Sequence, residues 1–346
     1  PGIVDGWQSL LKRHGSKSLS KLLKPAIDYA KNGFVVQEVI ANAWKANSDK
    51  LQRSPSGSEL LKNGQPPKAG EVMRLPELAE VLKSIARRGP KAFYKGKTAE
   101  KIASYVQQRG GWLDKEDLSS HKSTWDEPIS TEYRDYTVWQ CPPNTQGLNV
   151  LMALNIYEGF NNTETSDPVK ELHLKIESVK AAFSDGLFNI TDFEITKHVL
   201  PQLLSKDYAS EKRMYIDKNK AVSYEPTVKV DTSNTVYVTA VDKDGNGCSF
   251  INSLFQGFGS GIIVPDTGIA LQNRGSSFSL DKNHPNYLEP NKRPFHTLIP
   301  GMVTNTKNND LKYCYGVMGG MQQAQGHFQV LSNLIAVSYT HLTLPT

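Results

Sequence analysis

An α+β fold, helical at first and strand-rich after about residue 205, is what this 346-residue sequence predicts. Three observations carry that reading. Apolar residues in the first half recur at spacings of three and four, the period of a helix face. Beyond residue 205 they alternate in twos between turn-forming clusters, the pattern of half-buried strands. No strand–helix–strand rhythm and no internal repeat joins the two regimes, which argues against a doubly wound parallel sheet.

The elements follow in order. Leu19, Leu22, Leu23, Ala26, Ile27 and Ala30 share one helical face, and Gly33 stops the run. Pro76 opens a second helix through Leu78, Val81, Leu82 and Ile85, which Gly89-Pro90 ends. Residues 97–108, 146–158 and 168–184 are further amphipathic helices, and residues 129–141 alternate as a hairpin bent at Arg134-Asp135. Residues 235–241 and 248–254 form a strong hairpin, with Asp244-Gly245 supplying residues tolerant of positive φ in its turn. Residues 262–271, 297–303 and 311–317 are additional strands, and the polar stretch 217–233 is an exposed loop.

Composition removes several classes of function. Forty Lys and Arg against 35 Asp and Glu give +5, and the longest basic runs are two residues, so no nucleic-acid partner is expected. No window approaches the ~18 consecutive apolar residues of a membrane span. The three cysteines lie far apart and read as small buried hydrophobes rather than as a metal or disulfide framework. Gly96-Lys97-Thr98 lacks the glycine a phosphate loop needs, because Lys91 stands at that position. The glycines of 257–261 lead into a strand rather than a helix, there is no GxSxG elbow, and no cofactor or metal is expected. Pro1 opens the sequence without an initiator Met or signal peptide, so the compartment stays open. The last ten residues back-translate into what looks like a sequencing-library adapter, and 337–346 are expected to be non-native.

Three segments combine hydroxyl side chains with glycines: Ser233-Asn234-Thr235, residues 252–261, and the stretch from Gly316 to Gly319-Gly320. Taken alone they are turns and strand caps, since paired glycines at a strand end need mean only unusual dihedrals. Together with other stretches they resemble the gamma-glutamyltranspeptidase (glutathione hydrolase) family. The likeness runs through PGIVDGW at 1–7, GPKAFYKG at 89–96, GGWLDKEDL at 110–118 and LSKDYA at 204–209. It continues through VDKDGN at 241–246, GFGSG at 257–261, NRGSSFS at 273–279, PNKRP at 290–294 and MGG at 318–320, in order over nearly all of residues 1–336.

The resemblance implies a self-cleaving amidase of the N-terminal-nucleophile class with a four-layer αββα core. The family's nucleophile, a Thr shortly before the DxxGN turn, corresponds to Thr235. Cleavage between Asn234 and Thr235 would leave a 234-residue large chain and a 112-residue small chain as one heterodimer. The freed α-amine, with an ordinary pKa of about 7.7–8.0, then serves as base for the hydroxyl of the same residue. Ser253 matches the hydroxyl that orients the nucleophile, and the N–H groups of Gly319 and Gly320 match the oxyanion hole. A small γ-glutamyl or acyl-amide substrate is the implied partner.

Departures from the family concern the substrate. Ser277 stands where well-known members place the acid that holds the glutamyl α-amine, and Phe255 replaces an Asn. His296-Thr297 replaces a Ser-Ser pair, 281–290 is short where some members carry a lid, and the family's α-carboxylate arginine would lie before Pro1. An ammonium buried without its acid is costly, so Asn273, Arg274, Ser277, His296 and Thr297 read as an altered substrate lining suited to an anionic or acyl group. His296 reads equally well as a structural hydrogen-bonder, and Arg274 as a member of a surface or inter-strand ion pair. The pattern resembles the glutathione-hydrolase-like branch. Beside the γ-glutamyl amidase expectation stand two others, an acylase on glutaryl-type side chains and a non-catalytic binding protein.

Overall fold

The computed structural model describes residues 2–160, 167–224 and 234–336. The chain forms two compact units, one of Pro1–Trp125 with Leu254–Asn273, the other of Asp126–Ser253 with Arg274–Thr346. The expected boundary at 234/235 is one of cleavage, and each compact unit draws residues from both sides of it. The expected foreign tail, 337–346, lies outside the described residues, as does 225–233 of the expected loop.

The first unit is mostly helical. Its main helices are α1 (Ile3–His14), α2 (Leu19–Asn32), α3 (Pro76–Arg88) and α4 (Lys97–Gln108). The Ser18 hydroxyl caps α2 by accepting the Lys21 N–H at 3.3 Å, and Gly33 ends it at φ 102°. Leu19, Leu23, Val81, Ile85 and Ile102 then meet in one buried cluster, as their helical spacing requires.

Residues 262–271 are not one strand. They form a two-rung hairpin, Ile263–Val264 against Ile269–Ala270. Three successive N–H groups, from Asp266, Thr267 and Gly268, bind the Glu59 carboxylate at 2.7, 3.2 and 2.7 Å. That capture folds the middle of the segment into a turn, with Gly268 at φ 62°.

The second unit centres on an antiparallel sheet. Its elements in chain order are β1 (Ile129–Tyr133), β2 (Tyr136–Gln140), α5 (Gly147–Glu158), α6 (Pro168–Asn189), α7 (Lys206–Met214), β3 (Asn234–Val241), β4 (Gly247–Phe255), β5 (Gly301–Asn305), β6 (Leu311–Tyr315) and α8 (Gln322–Ala336). The sheet order is β6-β5-β2-β1, and β3 pairs with β4. The 129–141 hairpin bends at Arg134, at φ 56°, where the sequence places it.

Helix α5 departs from expectation. It is buried from Gly147 through Tyr157, so it is a core rod rather than an amphipathic surface helix. It packs on β1 and β2 and against α6, α7 and α8. Its buried Asn155 is satisfied by Thr131 Oγ1 at 2.6 Å, Lys206 Nζ at 2.7 Å and the Leu204 carbonyl at 3.0 Å.

Three further expectations are corrected. Of 297–303 only the end joins the ladder, in β5, because side-chain amides rather than a neighbouring strand claim the Thr297 carbonyl. Helix α8 was not expected; its buried Ala324, Phe328 and Leu331 sit among polar residues that weaken the periodic signal. Cys141 and Cys314 are half-buried and Cys248 is exposed, and all three are free thiols rather than buried hydrophobes.

Candidate active site

Thr235 is the second residue of strand β3, which a tight turn joins to β4. The Asp242 N–H donates to the Asn246 carbonyl at 3.1 Å, and the Asp242 carboxylate accepts from the Asp244 and Asn246 N–H groups and from Asn246 Nδ2, each at 2.9 Å. These bonds hold the Asp242 carboxyl below its ordinary pKa, and Gly245 takes φ 83°. Across that closure β3 pairs with β4, the strand that carries Ser253. Tyr237 Oη and Ser249 Oγ, 2.9 Å apart, join the two strands on the same face. Thr235 is buried while Val236 beside it is exposed. Among the described residues, Thr235 Oγ1 has no hydrogen-bond partner.

Strand β6 contacts β3, and the glycine pair follows it in the chain. A Cβ on Gly247, just past the turn, would lie 2.8 Å from Cys314 Sγ; Cys314 bonds Thr239; and Gly316 lies against the Tyr237 ring, where a Cβ would come within 2.5 Å. As β6 advances, its contacts thus step back along β3, and the next residues after Gly316 include Gly319-Gly320. These two adopt φ 123° and 58°, backbone that side-chain-bearing residues rarely take. Among the described residues neither glycine N–H donates to a backbone carbonyl.

The structure also joins part of the expected substrate lining. Arg274 is buried and donates from Nη1 to Thr297 Oγ1 at 2.5 Å. That removes the surface ion-pair reading of Arg274. Burial pulls its guanidinium down to about 10, so it is still charged at neutral pH. Burial, together with the Arg274 and Arg293 charges, pushes the His296 imidazole down to about 3. Neutral His296 accepts the Leu298 N–H on Nδ1 at 3.1 Å, which fits its structural reading. Ser277 ends the 3-10 turn Arg274–Ser277, and its carbonyl accepts from Asn286 Nδ2 at 2.7 Å. Asn273 is engaged elsewhere, exchanging bonds of 2.8 and 3.2 Å with the side chain and N–H of Gln256.

Sequence reasoning missed two glutamines. Gln146, fully buried at the start of α5, donates from Nε2 to the carbonyls of Thr297 at 2.9 Å and Gly320 at 2.8 Å. Gln323 is fully buried in the first turn of α8; with its amide assigned the way round that satisfies both its oxygen and its nitrogen, the nitrogen donates to the carbonyls of Thr297 at 3.0 Å and Val317 at 3.2 Å. The available signal was their placement, Gln146 beside Gly147 after a Pro-Pro turn and Gln323 just past Gly319-Gly320.

Among the described residues no helix is long and apolar enough to cross a membrane, and no cluster of His, Cys, Asp or Glu could hold a metal ion. The family model described as Gamma-glutamyltranspeptidase matches residues 1–341. The glutathione hydrolase-like YwrD proenzyme of Bacillus subtilis is 39% identical over 337 residues, covering 97% of this chain and 63% of its own length. The glutathione hydrolase proenzyme of Escherichia coli is 31% identical, covering 97% of this chain and 61% of its own length. The crystal structure of cephalosporin acylase from Bacillus halodurans superposes with a TM-score of 0.90 at 42% identity, over 97% of this chain and 62% of that one. The chain therefore spans about three-fifths of the length of these relatives. The fold is that of the N-terminal-nucleophile hydrolases, the αββα sandwich expected from the sequence. The chain belongs to the gamma-glutamyltranspeptidase family.

Proposed function

We propose that this chain is part of an autoprocessed amidohydrolase or acyltransferase that cleaves γ-glutamyl or related amide bonds through an acyl-Thr235 intermediate. The observation that carries the reading is the Thr235 hydroxyl, buried at the head of β3 with no hydrogen-bond partner among the described residues. A buried hydroxyl left in that state costs free energy, which is expected where it is kept for a reacting carbonyl.

In the precursor the Thr235 nitrogen is an amide and cannot act as a base. Oγ1 attacks the Asn234 carbonyl carbon, the C–N bond breaks as the nitrogen takes up a proton, and an ester remains. Water opens the ester, leaving a carboxylate on Asn234 and a free amine on Thr235. That amine accepts the hydroxyl proton as Oγ1 attacks the substrate amide. The N–H groups of Gly319 and Gly320 receive the oxyanion, and Ser253 orients the nucleophile. Expulsion of the amine leaves the acyl ester, which water or an acceptor amine resolves.

The test is intact mass of the full-length protein after expression, followed by labelling with an electrophilic glutamine analogue. Two chains split before Thr235, with the label on Thr235, are expected. An uncleaved, unlabelled chain that is natively folded would overturn the reading and favour a binding protein on the same scaffold.

A second reading, acylase specificity, is favoured by Arg274. A buried guanidinium fits an acyl group with a terminal carboxylate, and Ser277 offers no charge to a glutamyl ammonium. The 42%-identical solved structure is that of a cephalosporin acylase. Hydrolysis of glutaryl anilide against γ-glutamyl anilide separates the two, because the substrates differ only by the α-amine.

A further inference from the structure

We infer that Gln146 and Gln323 are positioning residues for the oxyanion-binding N–H groups of Gly319 and Gly320; this rests on the reading of that site proposed above. A glycine pair can rotate its peptide planes at little cost, so an oxyanion hole built on it needs something else to fix those planes. Each plane is identified by the carbonyl it shares with the next N–H. The plane bearing the Gly320 N–H also bears the Gly319 carbonyl, which accepts the Gln322 N–H at 3.1 Å. The plane after it carries the Gly320 carbonyl, held by Gln146 Nε2 at 2.8 Å and by the Gln323 N–H at 3.2 Å. On the near side, the Val317 carbonyl is held by the Gln323 side chain at 3.2 Å. The chain is thus held at Val317, one peptide before the plane bearing the Gly319 N–H, and at Gly320, one peptide after the plane bearing the Gly320 N–H.

Both clamps share one anchor. The Thr297 carbonyl accepts from Gln146 at 2.9 Å and from Gln323 at 3.0 Å, so both its lone pairs are committed. The Thr297 hydroxyl meanwhile receives Arg274. The donor loop and the substrate-lining arginine are therefore referenced to the same residue. Burying two neutral amides is costly unless their polar atoms are used. Gln146 Oε1 has no partner among the described residues, so only the nitrogen end of that amide explains its place.

The test is made on the full-length protein with Gln146→Met and Gln323→Met, which keep length and volume but remove the donors. Turnover is measured per Thr235 titrated by an acylating probe, on whichever anilide the unaltered protein hydrolyses. Affinity is measured for a boronic acid that forms a tetrahedral adduct on the hydroxyl. For each variant kcat should fall about 10- to 100-fold, towards the loss seen when one oxyanion donor is removed. KM should stay within about threefold, and boronate affinity should fall by the same factor as kcat. Either variant alone carries the test if the other does not fold. Turnover retained within twofold, or a loss of kcat without the matching loss of boronate affinity, overturns the inference. A parent protein that neither cleaves nor turns over defeats the underlying reading instead, so the two failures are distinguishable.

Discussion

Arg274 Nη1 donates to the Thr297 hydroxyl at 2.5 Å, and both residues are buried. The bond fixes the direction of a guanidinium that burial already holds down at about 10. Thr297 therefore acts on substrate through Arg274 in this reading, since its hydroxyl is taken and its side chain is fully buried. Thr297→Val should raise KM for a glutaryl-type anilide about tenfold, the scale of one charge-assisted hydrogen bond, with kcat changed less than about threefold. Arg274→Lys should behave no better, because an ammonium lacks the planar fork. Equal KM values for the parent and both variants would remove Arg274 from the acyl site.

Thr235→Ala should stop both chain splitting and turnover, since one hydroxyl serves each step. Thr235→Ser keeps a hydroxyl and should restore splitting at a reduced rate. Intact mass against time gives the first readout and anilide release the second. Turnover by the uncleaved alanine variant would mean that some other residue is the nucleophile.

Helix α5 and helix α6 approach so closely at Gly186 that a Cβ there would fall 1.6 Å from Asn149 Oδ1. Gly186→Ala should therefore destabilise the fold by about 1–3 kcal/mol, the usual cost of overpacking a core. A urea titration of the full-length protein gives the value. Asn149→Ala on top of it should recover part of the loss, because it removes the atom that clashes.

The helices with one polar face, such as 19–32 and 76–88, were legible because their burial follows a period the sequence displays. Helix α5 misled because a rod buried on every side has no periodic contrast, and its Asn155 mimics a polar face while bonding inside the core. The 262–271 strand misled because a carboxylate more than 200 residues earlier folds its middle. Thr235, Ser253 and the glycine pair stand as candidates because the family resemblance points to those positions, and Thr235→Ala is their test. Gln146 and Gln323 could not be found in this way, since a buried amide aimed at a backbone carbonyl looks in sequence like any surface glutamine.

Two imidazoles give the fold an acid limit. Burial holds His296 and His327 near 3, the former helped by Arg274 and Arg293. An unfolded histidine titrates near 6.5. Between those values the unfolded chain binds protons that the native fold refuses, so stability rises with pH across the window. The contribution is complete above about 6.5 and is lost as pH falls from there towards 3. Each imidazole accounts for up to about 1.4 kcal/mol per pH unit in that range. Carboxylates titrate in the same window, so the parent slope alone assigns nothing. His296→Asn removes one titration while offering an oxygen to the Leu298 N–H that Nδ1 now accepts. Unfolding free energies from urea titrations at pH 7.5, 6 and 5 should therefore converge between parent and variant as pH falls, by about 1.4 kcal/mol per unit below 6. A constant difference across all three would show that His296 is free to protonate in the native fold, and that its imidazole is not held neutral beside Arg274.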